Sequence, residues 1–129
     1  MTKTVAIWLV GVALISIPIE AHHSFLAEFD PDKPVTLTGP VSKVEWANPH
    51  IFLYLDFKDP SGKVTNWAIE MGSTLSLVRL GWSRTSIKPG DVVTIDGFLA
   101  RNGGNLANAK TVLMNGKKMW AGSSQAVTP

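Results

Sequence analysis

The residues of this 129-residue chain best suited to metal chemistry are its three histidines, His22, His23 and His50. If an N-terminal leader is cut after Ala21, His22 becomes the first residue. It then offers an α-amine and an imidazole nitrogen to one ion, and His50 can add a second imidazole. A set of three nitrogens suits Cu(II) better than zinc, and His23 is the substitute if the arm turns differently. The competing reading is plainer: His22 and His23 are polar chain at a frayed end, and His50 satisfies a backbone group beside its turn.

Two carboxylates, Asp56 and Glu70, fall on successive predicted strands, with Asn66, Tyr54 and Phe52 on the same outward faces. Buried and within reach of each other, such a pair could do acid–base work; on the outer face of an antiparallel sheet it is ordinarily solvated. No His-Glu-x-x-His, Gly-x-Ser-x-Gly, phosphate-loop or dinucleotide signature occurs, so no catalytic residue is assigned. The aromatics Trp46, Trp67, Trp82, Trp120, Phe52, Tyr54, Phe57 and Phe98 could build a stacking surface. Most are expected in the core, with Phe52 and Tyr54 left beside Asp56 as a contact surface.

The elements that must hold these side chains follow from periodicity. Lys3 and the uncharged run Val5–Ile19 read as a secretory signal over residues 1–21, broken at Pro18 and ending in an imperfect cleavage site at Ile19-Glu20-Ala21. The run is short for a membrane span of about 20 residues; an uncleaved anchor or a buried helix is the other reading. Residues 22–34 read as an irregular arm in which Phe25 and Phe29 can dock on the domain. The domain itself is expected over residues 35–122 and a disordered tail over 123–129.

Within the domain, Val35, Leu37 and Val41 share one phase and Val44 and Trp46 the other, so the first strand must bulge near Gly39-Pro40. Residues 50–58 alternate Ile51, Leu53, Leu55 and Phe57 against Phe52, Tyr54, Asp56 and Lys58. After the Asp59-Pro60-Ser61-Gly62 turn, residues 64–71 form a third strand. Ser73 can cap a short helix carrying Leu75, Leu77, Val78 and Leu80, ended by Gly81, and its leucines are expected in the core. Residues 92–100 and 106–114 give two more strands, and an Asn115-Gly116 hairpin turn leads to a possible short edge strand over 117–120. Three strands, a helix and two strands match an all-β, five-stranded OB-like Greek-key barrel with one short helix between strands 3 and 4. An open meander on one helix is the alternative.

His22-His23-Ser24-Phe25, Lys33-Pro34-Val35-Thr36-Leu37-Thr38-Gly39, Val44-Glu45-Trp46-Ala47-Asn48-Pro49-His50 and Lys88-Pro89-Gly90-Asp91 carry a further signal. Over roughly residues 21–124 the chain resembles a group of small exported bacterial proteins classed as a domain of unknown function. The resemblance implies a periplasmic or secreted OB-like domain and supplies no activity.

Composition bounds the rest. The length fits a single domain, and the absence of cysteine excludes disulfides and thiolate metal sites. A net charge of +2, with Arg101, Lys110, Lys117 and Lys118 scattered, argues against nucleic acid. The sequence therefore predicts an exported, non-catalytic binding or interaction module, with an unknown periplasmic protein or small ligand as partner and no membrane anchor after cleavage. Its alternatives are a copper-binding protein or copper-dependent enzyme using His22 and His50, with Cu(II) as the possible cofactor, and a structural accessory of the cell envelope.

Overall fold

The computed structural model describes residues 25–123. The expected leader over 1–21, His22 and His23, and residues 124–129 of the expected tail lie outside the described residues. The elements in chain order are α1 (Phe25–Glu28), β1 (Phe29–Glu45), β2 (Phe52–Lys58), β3 (Val64–Glu70), α2 (Thr74–Arg79), β4 (Val92–Ala100), β5 (Leu106–Met114) and β6 (Lys117–Trp120). The fold is mostly β: one six-strand sheet in the order β3-β2-β1-β4-β5-β6 with two short helices. All neighbours in that order are antiparallel, and a parallel pairing of β3 with β5 closes five strands into a hydrogen-bonded ring. Among the described residues no helix is long and apolar enough to cross a membrane.

The ring is possible because β1 is long enough to serve two partners. Its first part pairs with β4, from Phe29↔Ala100 to Pro40↔Val92, and its last part with β2, from Val41↔Leu55 to Glu45↔Phe52. The register shifts between Val41 and Lys43, just beyond the Gly39-Pro40 step where the sequence requires a bulge. Gly39 has a steric reason: a Cβ there would collide with the Asp56 carbonyl of β2. A side chain would hold the strands apart where β1 passes from one partner to the other.

Alternation sets the core. Ile51 just before β2, Leu53 and Leu55 of β2, Ile69 of β3 and Met71 just after it, Val93 and Ile95 of β4, and Ala107, Ala109 and Val112 of β5 are buried in one cluster. The small Ala107 and Ala109 let β5 approach the core closely. At the outward hairpin end, Asn115 (φ 51°) and Gly116 (φ 75°) take the left-handed conformation that a tight two-residue turn requires.

Three features depart from the sequence reading. The arm is not irregular throughout: Phe25–Glu28 is one helical turn, and β1 starts at Phe29. Phe25 and Phe29 stack at 5.6 Å and, with Ala100, form a second buried cluster against Phe98 and Leu106. Arg101 ties the same segment down, its backbone N–H donating to the Glu28 carbonyl and its Nε to the Leu26 carbonyl, both at 2.8 Å. The register shift between Phe29 and Pro34 absorbs Pro31 and Pro34, which have no N–H for a ladder.

The second departure is α2. Ser73 caps it by accepting from the Ser76 N–H, and Gly81 (φ 94°) follows its end, as the sequence requires. Yet only Leu77 is buried, and Leu75, Val78 and Leu80 are exposed. A helix of six residues turns one narrow face to the core, so one leucine suffices. The third is Ser123, placed by the sequence in the tail but buried, beyond a strand end held by Gly72 N–H donating to the Ala121 carbonyl.

Gly39→Ala is expected to lower stability by about 1–3 kcal/mol, read as a fall in the urea midpoint. An unchanged midpoint would show that β1 and β2 are not in close contact there.

Candidate functional site

The outward faces of the strands carry a row of cross-strand neighbours: Glu45↔Phe52 between β1 and β2, Phe52↔Glu70 between β2 and β3, Glu70↔Asn108 between β3 and β5, and Asn108↔Phe98 between β5 and β4. Each step follows from strand register, so residues far apart in sequence become neighbours about 5 Å apart. Two sites sit on this row.

The first is the aromatic and charged strip of β1 and β2. Phe52 and Tyr54 face outward and are half-buried, stacked with centroids 6.3 Å apart. The Tyr54 hydroxyl donates to Glu45 Oε2 at 2.8 Å, and Lys43 Nζ donates to Glu45 Oε1 at 3.1 Å. Lys43 Nζ also lies 5.1 Å from the Tyr54 ring centroid, within cation–π range. The strip thus presents two rings with their orientation fixed by one carboxylate and one ammonium group. Its hydrogen bond to Tyr54, and then Lys43, hold the Glu45 carboxyl below its ordinary value; the same bond to Glu45 raises the Tyr54 phenol.

The second is a polar cluster at the start of β2. His50 Nδ1 lies 3.4 Å from Glu70 Oε1, and Asn108 Nδ2 donates to the same oxygen at 3.4 Å. Glu70 and Asn108 are buried, 9% and 2% exposed, although both stand in the outward phase of their strands. Asn108 Oδ1 is buried with no hydrogen-bond partner. The loop before His50 is fixed to α2: Asn48 Oδ1 accepts from the Thr74 N–H at 3.1 Å and from the Thr74 hydroxyl at 2.9 Å. On the other side, the Ile51 N–H donates to the Gly72 carbonyl. The Asn-Pro-His segment therefore places His50 at the open edge of this cluster.

The structure separates the two carboxylates that the sequence set together. Asp56 is opposite Asn66, whose Nδ2 donates to Asp56 Oδ1 at 2.8 Å and to the Ser42 hydroxyl at 3.0 Å. Glu70 lies four residues further along β3, about 13 Å away along the strand. An acid–base pair of Asp56 and Glu70 is excluded by that distance, because register matches them to Asn66 and Phe52 instead. His50 meets Glu70, while His22 and His23 lie outside the described residues. Among the described residues no three His, Cys, Asp or Glu side chains converge on one point.

Sequence reasoning missed Lys43, Glu45, Asn48 and Asn108. Lys43 and Glu45 alternate outward after the bulge, a signal that could have been read. Asn108 gave none, because its partner is 38 residues away across the parallel β3–β5 pairing. Of the remaining aromatics, Trp46 and Trp82 line an apolar cleft with Val44, Leu53, Met71 and Ile87 that has no room for a water molecule. Trp82 Nε1 donates to the Trp120 carbonyl at 2.9 Å. Trp120 is 37% exposed, with Lys110 Nζ 6.0 Å from its ring.

A family model described as a family of unknown function (DUF6152) matches residues 10–109, and the chain belongs to that family. The match spans α1, β1 to β4 and the first residues of β5, and thus both sites. No curated protein matches the chain.

Tyr54 is the only tyrosine, so tyrosinate absorbance reports this site alone. Its phenol should titrate above the ordinary value of about 10, and Glu45→Gln should bring it back down. The raised phenol contributes stability below its ordinary range, lost as pH rises through the folded value; the lowered Glu45 carboxyl contributes above its ordinary range, lost as pH falls through the folded value. An identical midpoint in both proteins would contradict the contact.

Proposed function

We propose that this is an exported, periplasmic, non-catalytic binding or interaction module, and that its ring of strands is an OB-like Greek-key barrel. The ring order β1-β2-β3-β5-β4 with a short helix between β3 and β4 supports the barrel reading. The secretory pattern of residues 1–21 supports export.

The observation that carries the binding reading is the strip of Phe52 and Tyr54, oriented by Glu45 and Lys43. Rings fixed before binding lose little freedom on contact, and they offer stacking area with a charged rim to a peptide or a small ring-bearing ligand. Asp56 and Glu70 bound the strip at its two ends. Phe52→Ala with Tyr54→Ala should reduce partner capture from periplasmic extract at least tenfold and leave the melting temperature nearly unchanged. Undiminished capture would place the contact surface elsewhere; a large drop in melting temperature would make the rings structural.

A second reading, Cu(II) bound by the α-amine and imidazole of His22 with His50, is favoured by the anchoring of Phe25. Phe25 packs edge-on against Phe98 at 5.6 Å, and Phe98 is two strands from Glu70 in the same row. Two strand spacings are about 10 Å, and the three residues from His22 to Phe25 span about 10 Å when extended. Protein starting at His22 should bind one Cu(II) and release protons, because amine and imidazoles must be deprotonated to ligate. One extra residue before His22, or His50→Ala, should each weaken binding at least tenfold in a competition titration. Unchanged affinity in both would remove the shared site.

A further inference from the structure

We propose that the aromatic strip of β1 and β2 recognises an arginine side chain of a partner protein, held against Tyr54 and Glu45 in the place that Lys43 fills in the free protein. The inference rests on the binding reading of this strip and names the chemistry of its partner.

The strip already holds a cation, supplied by its own chain. Lys43 stands opposite Tyr54 and Glu45 opposite Phe52 in the β1–β2 register, so an ammonium group and a carboxylate from one strand flank the two rings of the other. Lys43 Nζ lies 5.1 Å from the Tyr54 ring centroid and 3.1 Å from Glu45 Oε1. A ring face beside an anion is the pairing that recognises an organic cation. The Tyr54 hydroxyl donates to the other oxygen, Glu45 Oε2, at 2.8 Å, and this bond keeps the carboxylate beside the ring independently of Lys43. The same bond, and then Lys43, hold the Glu45 carboxyl below its ordinary value, so the group stays an anion through mildly acidic pH.

The resident cation is weakly held. The side chains of Lys43 and Glu45 are 60% and 45% exposed, and an ion pair this open contributes little. It also leaves the seat within reach of a partner. A guanidinium suits that seat better than an ammonium group, because it is planar, stacks flat on a ring and presents several N–H donors in a fixed fork. Glu45 Oε1 accepts from it once Lys43 withdraws. Charge favours the same class of guest. Glu45 and Asp56 border the rings together with Glu70, which has His50 Nδ1 at 3.4 Å. Lys58 lies four residues beyond Tyr54 on β2, about 13 Å along the strand. With Lys43 withdrawn the rings stand in an acidic surround on a chain of net charge +2, which complements a cationic partner and opposes an anionic one.

The test is titration of the protein with the peptide acetyl-Gly-Arg-Gly-Arg-Gly-amide and with its citrulline counterpart, which keeps the planar group and loses the charge. Binding is read from the ring-proton shifts of Phe52 and Tyr54 in nuclear magnetic resonance spectra. The arginine peptide should shift both rings and remove the Overhauser contact between the Lys43 side chain and Tyr54, and the citrulline peptide should bind at least tenfold more weakly. Lys43→Gln removes the internal competitor and should tighten the arginine peptide about two- to fivefold, the opposite sign from a lysine that itself touches the partner. Glu45→Gln should weaken it at least threefold. Equal affinity of the two peptides, no shift in either ring, or a Lys43→Gln protein that binds no tighter overturns the arginine assignment. The binding reading falls separately, when Phe52→Ala with Tyr54→Ala leaves capture from periplasmic extract undiminished.

Discussion

The parallel pairing of β3 with β5 is the contact on which the rest of the molecule depends. Three register positions, Ala68↔Leu106, Ile69↔Ala107 and Glu70↔Asn108, turn an otherwise open sheet into a closed ring of five strands. The inward pair, Ile69 and Ala107, is fully buried and joins the two halves of the core. The outward pair, Glu70 and Asn108, is buried as well, with Asn108 Nδ2 donating to Glu70 Oε1 across the pairing. Parallel pairing between strands so far apart in sequence incurs a large loop-closure entropy, offset here by the core that closure completes.

The second requirement is that one strand reach around the ring. β1 does so with 17 residues, changing partner near Gly39, where the absence of a side chain admits the Asp56 carbonyl. The phase change across that bulge turns Lys43 and Glu45 outward beside Phe52 and Tyr54. The aromatic strip is thus a by-product of strand closure, and the polar cluster at His50 is another. Both lie on the surface that the two closing contacts create, which is how a small domain presents fixed chemical groups.

Much of this was legible in the sequence because it depends on local pattern. The alternation of residues 51–57 assigns Leu53 and Leu55 inward and Phe52 and Tyr54 outward, as the structure has them. Ser73, Gly81 and Asn115-Gly116 mark a helix cap, a helix end and a hairpin by their own conformational preferences. What was not legible depends on contacts distant in sequence. Glu70 looked like any outward strand carboxylate until β5 brought Asn108 beside it, and Asn108 looked like a polar interruption in a weak strand. The apolar residues of α2 misled for the converse reason: Leu75 and Val78 have helical spacing, but nothing in a local pattern reveals how little of a six-residue helix the core can cover. Phe25 and Phe29 were readable as anchors by spacing, whereas the helical turn between them was not.

Closure of the ring is tested most directly by backbone nuclear Overhauser contacts in the uniformly labelled protein. The account predicts cross-strand contacts between Ile69 and Ala107 and slow exchange of the Ala68 amide, whose N–H donates to the Asn105 carbonyl at 3.0 Å. Absence of those contacts, with rapid exchange at Ala68, would leave β3 and β5 as free edges and contradict both the ring and the burial of Glu70.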